Sequence, residues 1–205
     1  MRDKGWYTVV FTFFLTFSAV LALAVVYDGT REIEVRNHVV RRQAAVLRAL
    51  GERNVDIRDY RDVSTRYHGL ENPVDGMYLR ETATGPVVGR VFSGPGVWGD
   101  IHGVIGVATE DLRVTGIEIL RHSETPGLGG RVATDQFLDQ LRGERIGDSG
   151  IRITVRGPGN YDPDDATIDG ITGATGTTRA FRAILEREVG SFKEMLTAAG
   201  NANRG

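Results

Sequence analysis

At 205 residues the chain has room for one ordinary domain and an appendage, and is long enough to bury a hydrophobic core. A formal charge of −2, from 25 basic and 27 acidic side chains, offers no basic face for nucleic acid. The absence of cysteine excludes disulfides, thiolate zinc sites and iron–sulfur clusters together. The histidines at positions 38, 68, 102 and 122 lack ligand spacing, so no metal site is expected and any redox work requires an organic cofactor.

Residues 5–27, "GWYTVVFTFFLTFSAVLALAVVY", carry no charge. At about 1.5 Å per residue they cross the roughly 30 Å hydrocarbon layer of a bilayer. Trp6, Tyr7 and Tyr27 stand at the two ends, where aromatic rings favour the interface. A signal peptide cleaved after "ALA" is the alternative, but its apolar region usually runs only about 7–15 residues. The reading is therefore an uncleaved transmembrane anchor. Either way the bulk of the protein is expected at a membrane, outside the cytoplasm.

"TREIEVRNHVVRRQAAVLRALG", from Thr30 to Gly51, has helical spacing of Ile33, Val39, Val40, Val46, Leu47 and Leu50, with a solvated basic face. Residues 52–74 read as a polar connector. From there the period becomes two: "GMYLRE" (76–81), "PVVGRVF" (86–92), "DIHGVIGVA" (100–108) and "RVTGIEIL" (113–120) are expected strands. A glycine-rich loop follows (122–130), then a short helix at 134–141, a strand "IRITV" (151–155) and the turn-rich "RGPGNYDPDD". A final helix, Thr177 to Ala199, carries an apolar stripe of Phe181, Ile184, Leu185, Val189, Phe192 and Leu196. The expected fold class is α+β, an antiparallel sheet packed with helices and preceded by one transmembrane helix. The expected boundaries are 1–28 for tail and anchor, 29–75 for juxtamembrane helix and connector, and 76–205 for the main domain.

Two loops draw the chemistry. In "HSETPGLGGR" (122–131), Pro126 fixes its own φ and Gly127, Gly129 and Gly130 permit positive φ, so consecutive N–H groups can cradle an anion. The plain alternative is an ordinary turn, against which Glu124, Thr125 and the apolar Leu128 argue. In "TIDGITGATGTTRAF" (167–181), Thr172, Thr175, Thr177 and Thr178 crowd a helix N-terminus, where unpaired N–H groups and the helix dipole favour a phosphate. Simple N-capping needs one such hydroxyl. No lysine follows the glycines, so a Walker A loop is excluded. No GxSxG occurs, and no serine–histidine–acid order suggests a hydrolase.

"DGITGAT" (169–175) resembles the flavinylation motif of the FMN-binding domain family shared by the C subunit of the sodium-pumping NADH:quinone oxidoreductase (Nqr) and the G subunit of the Rnf complex. "HSETPGLGG" is similar to the family's second signature, and "GPGVWGDIHG" (94–103) is similar to a segment of the Nqr protein. The likeness covers residues 76–195. It departs where Gly176 and then Thr177-Thr178 follow "GAT", and in lacking the Nqr protein's insertion before the sheet. The resemblance implies FMN bound covalently through a phosphoester to Thr175, attached by a separate magnesium-dependent flavin transferase that uses FAD. It also implies cofactor contacts from Glu124, Thr125, Gly127, Leu128, Thr172, Gly173 and Ala174, and no catalytic residue in this chain. Asp169 is expected to cap the turn or be read by the transferase, and Trp98 to lie in the core, with stacking near the flavin as the alternative. The implied role is an electron-carrying subunit of an ion-translocating complex in the bacterial inner membrane, with its FMN domain on the extracytoplasmic side and other subunits as partners. A free-standing anchored flavoprotein and a non-redox binder of a phosphorylated ligand are the alternatives.

Overall fold

The computed structural model describes residues 4–74, 76–154 and 162–202. Val155 of the last expected strand, residues 156–161 of the turn-rich segment after it, and the side chain of Leu196 lie outside the described residues. The chain divides into two compact units, Met1–Arg41 and Arg42–Gly205.

In the first unit, helix α1 (Lys4–Ala49) begins and continues without interruption past the expected junction near residue 29. Residues 5–31 are all exposed, including the phenylalanines at 11, 13, 14 and 17. An apolar run with no protein around it is the opposite of a buried core helix. Among the described residues, this helix alone is long and apolar enough to cross a membrane. Two of its hydroxyls bond back to the helix: Thr16 Oγ1 donates to the carbonyl of Thr12 at 2.8 Å and Thr30 Oγ1 to that of Val26 at 2.9 Å. In lipid such bonds matter, because no water is available to replace them.

The second unit is built on a five-stranded antiparallel sheet in sequential order: β1 (Glu71–Val74), β2 (Met77–Thr82), β3 (Gly85–Pro95), β4 (Asp100–Ala108) and β5 (Arg113–Arg121). The alternation that marked four of these strands in the sequence is the alternation of two buried faces. One face, with Phe92, Ile101, Ile105, Val107 and Ile117, meets Phe181, Ile184, Leu185, Val189 and Phe192 of α4 (Thr175–Ala202). The opposite face, with Tyr78, Val87 and Val104, meets Ala45, Val46, Ala49 and Leu50 at the end of α1. That approach is close. A Cβ on Gly116 would lie 2.5 Å from the carbonyl oxygen of Arg48, and Thr115 Oγ1 donates to the carbonyl of Ala49 at 2.6 Å.

The region 52–74, expected as a connector, contains helix α2 (Tyr60–His68) and strand β1. Asp59 caps α2 by accepting from the N–H of Asp62, and Val63 is its buried residue. After β5 come a 3₁₀ turn (Gly129–Ala133) and the four-residue helix α3 (Asp135–Leu138). Strands β6 (Arg152–Thr154) and β7 (Thr167–Asp169) pair in parallel, apart from the main sheet. β7 leads directly into the turn before α4, so this small ladder positions the helix start. Gln140 grips its end from both sides: its Oε1 accepts from the N–H of Asp169 at 2.9 Å and its Nε2 donates to the carbonyl of Asp169.

Candidate cofactor site

Three segments converge at the N-terminus of α4: the turn 96–99 between β3 and β4, the loop 122–130 after β5, and residues 171–178. Each is closed by its own backbone. Gly96 N–H donates to the carbonyl of Gly99 at 2.9 Å, Gly130 N–H to Thr125 at 2.9 Å, and Ala174 N–H to Ile171 at 3.0 Å.

Glu124 joins them. Its side chain is buried, with Oε1 accepting from the N–H groups of Val97 at 2.7 Å and Trp98 at 3.1 Å, and Oε2 from the hydroxyl of Thr177 at 2.5 Å. Its own N–H donates to Nδ1 of His122 at 3.2 Å. Burial pushes the Glu124 carboxyl up, but the Thr177 hydroxyl and the Trp98 and Val97 amides outweigh it, so the group sits below the usual carboxylate range. A Cβ on Gly129 would strike Thr177 Oγ1 and Glu124 Oε2, which explains why the loop needs glycine there.

The threonines divide by role. Thr177 and Thr178 are buried: Thr177 bonds Glu124, and Thr178 Oγ1 accepts from the N–H of Ile171 at 3.1 Å. The crowding of four threonines at this helix start thus serves more than a phosphate: the Thr177 hydroxyl ties the helix to the 122–130 loop, and the Thr178 hydroxyl closes the turn before the helix. Thr172 and Thr175 are exposed, and Thr175 is the first residue of α4. Gly173, at φ 80°, takes the left-handed turn that precedes the helix. Ala174 is buried in the main core.

The other expected contact residues lie on the rim. Thr125, Gly127 and Leu128 are exposed, and a Cβ on Gly173 would be 3.6 Å from Leu128 Cδ2, so the two loops are neighbours. Trp98, expected in the core, is 69% exposed. The reason is local: Glu124 holds its backbone in a tight turn that points away from the sheet's packed faces. Val97 is exposed too, and its Cγ2 would meet a Cβ on Gly176 at 3.0 Å. Val97 was not a sequence expectation, since a lone valine between Gly96 and Trp98 carries no signal of its own. Asp169 is buried and its carboxylate accepts from Thr154 Oγ1 at 2.7 Å, across the β6–β7 ladder.

A long helix N-terminus, an exposed hydroxyl at its first position, glycines where a Cβ would intrude, and apolar side chains at the rim suit a phosphate ester carrying a planar ring. Among the described residues no cluster of histidine, aspartate or glutamate could hold a metal ion.

The comparisons agree with this chemistry. Residues 96–189 match the model of the FMN-binding domain. The chain is 29% identical over 195 residues to the G subunit of the Na(+)-translocating ferredoxin:NAD(+) oxidoreductase complex of Acetobacterium woodii, covering 89% of each. It is 27% identical over 128 residues to the C subunit of the Na(+)-translocating NADH-quinone reductase of Chlamydia trachomatis, a match covering 54% of this chain and 40% of that protein. The crystal structure of the C subunit of the Na(+)-translocating NADH-quinone reductase from Parabacteroides distasonis has the same fold, with a TM-score of 0.65 at 21% identity over 82% of this chain and 96% of that one.

Proposed function

We propose that this chain, whose residues 96–189 match the model of the FMN-binding domain, is the electron-carrying subunit of an Rnf/Nqr-type ion-translocating oxidoreductase. In this reading FMN is esterified through its phosphate to Thr175, and the domain is held on the extracytoplasmic side of the bacterial inner membrane by the apolar part of α1. The observation that carries the proposal is the placement of Thr175: exposed, at the first position of a 28-residue helix, and flanked by Gly173, which faces the exposed Leu128, and Gly176, which faces the exposed Val97. The chain's likeness to the Acetobacterium protein over most of both lengths supports the parent complex. The chain spans about 40% of the chlamydial protein's length; a free-standing anchored carrier is the second reading, since the apolar run that could anchor the chain and the proposed FMN position lie in this one chain.

When bound, FMN supplies the electron acceptance and donation. The chain's residues do the rest. The N–H groups of the first turn of α4 favour the remaining negative charge of the phosphodiester. Gly173 and Gly176 leave room beside the ester, while Thr172 and Thr125 offer hydroxyls at the two sides. Val97, Trp98 and Leu128 give apolar surface to a planar ring and keep water from part of it. No side chain is needed as a base, since a separate flavin transferase makes the bond. The anchor keeps the flavin near its redox partners without a tight interface.

The test is ultraviolet fluorescence of the denatured protein band after expression with the transferase. A fluorescent band that disappears in Thr175→Ala is expected. A wild-type band without fluorescence, or fluorescence surviving in Thr175→Ala, contradicts the proposal. Co-purification with other membrane subunits separates the complex from the free-standing carrier.

A further inference from the structure

We propose that Glu124 is a positioning residue: its buried carboxylate ties the first turn of α4 to the backbone of the 96–99 turn and so fixes the direction in which Thr175 is presented for modification. The modification half rests on the reading of Thr175 as the attachment residue. The mechanical half does not.

The hydrogen bonds carry the inference. Among the described residues, each hydrogen bond that joins any two of the segments 96–99, 122–130 and 171–178 has the Glu124 carboxylate as acceptor. Remove it and the three segments are linked by packing alone. Thr177 and Thr175 are two positions apart, about 200° around the helix, so a bond that pins Thr177 inward turns Thr175 outward. Both carboxylate oxygens are committed to these partners, so Glu124 acts through Thr177 rather than as a contact of the flavin.

The bonding pattern also separates shape from charge. In Glu124→Gln the amide oxygen can still accept from Val97 and Trp98, and the NH₂ can donate to Thr177 Oγ1, which serves equally as an acceptor. In Glu124→Ala three donors lose their partner. In Thr177→Val only the link to the helix is lost.

The experiment uses the full chain in detergent. Hydrogen exchange at the Val97 and Trp98 amides is followed in the unflavinylated protein, and the initial rate of flavin incorporation is measured with transferase, FAD and magnesium. Thr177→Val is expected to speed exchange at these two amides about tenfold, although the substitution lies about eighty positions away in sequence, by loosening the shared acceptor. Glu124→Ala is expected to do the same and to slow flavin incorporation at least tenfold, while Glu124→Gln stays within threefold of wild type in both measurements. Folded Glu124→Ala that is flavinylated at the wild-type rate overturns the proposal, as does Thr177→Val with unchanged exchange at both amides. If Glu124→Ala does not fold, the exchange in Thr177→Val and the rescue by Glu124→Gln decide. If the wild type takes up no flavin, the attachment reading fails, and the exchange data still decide whether Glu124 couples the turn to the helix.

Discussion

Glu124 and Glu144 are both buried carboxylates in loops beside the sheet, and the protein treats them in opposite ways. Glu124 has a partner for each oxygen and sits below the usual carboxylate range. Glu144, at the far end of the same sheet edge, is wholly inaccessible and neither of its oxygens has a hydrogen-bond partner meeting ordinary geometry. Burial, reinforced by the neighbouring Asp165 and Asp162, pushes Glu144 up to about 7, against a weak opposing pull from the Ala166 and Thr167 amides. A buried charge is tolerable when bonded and otherwise gives up its charge. The first arrangement joins two turns through a bonded charge next to the proposed cofactor position; the second leaves a carboxyl whose charge depends on pH away from it.

The largest effect that sharpens this contrast is expected at the bonded acid. Glu124→Ala leaves two part-buried amides and a buried hydroxyl without an acceptor and should lower unfolding free energy by about 3 kcal/mol in denaturant melts at pH 7. The depressed carboxyl also sets a sign. Its contribution is present above the unfolded value near 4.3 and is lost as pH falls through the lower folded value, so wild-type stability should fall in acid more steeply than that of Glu124→Gln.

The unbonded acid should behave in reverse. A folded value of about 7 lies above the unfolded one, so the folded state holds the extra proton and stability declines as pH rises from near 4.5 through about 7. Glu144→Gln should therefore be more stable than wild type at pH 8 by about 1–2 kcal/mol, with the difference vanishing near pH 4. A wild-type stability that is flat from pH 5 to 8 breaks the contrast.

Smaller effects follow at the threonines. Thr177→Val loses one bond to the shared acceptor and should cost about 1 kcal/mol in the same melts. Thr175→Ala and Thr172→Ala remove exposed hydroxyls and should change stability by less than about 0.5 kcal/mol. Large destabilisation by either exposed substitution would mean that the two pairs of threonines had been sorted wrongly.

The parts of this fold that could be read from sequence are those in which one element carries its own periodic signal. The stripe from Phe181 to Phe192 reflects burial of one side of a helix, and the period of two in β4 and β5 reflects side chains sent alternately into the cores on the sheet's two faces, so burial selects residue type at a fixed interval. The three residues of β7 are too few to show a period, although all are buried. α2 buries only Val63, so its sequence looks like a solvated connector. At the site, the hydroxyl-rich helix start and the glycine-rich loop were legible because small and hydroxyl residues accumulated there, and Thr175 was singled out among the threonines by the resemblance of "DGITGAT" to a known motif. The exposure of Trp98 and the inward turn of Thr177 were not legible. Both depend on Glu124, which meets its partners across separations of 26 and 53 residues, and such pairing leaves no local pattern.

The electron-carrier reading stands on the hydroxyl at position 175, and the intact mass of protein purified from its native membrane reads it directly. FMN esterified with loss of water should raise the mass by roughly 440 Da over the chain alone, and fragmentation should locate the added mass on the peptide containing Thr175. A native chain of unmodified mass, or the same added mass on any other residue, would contradict it.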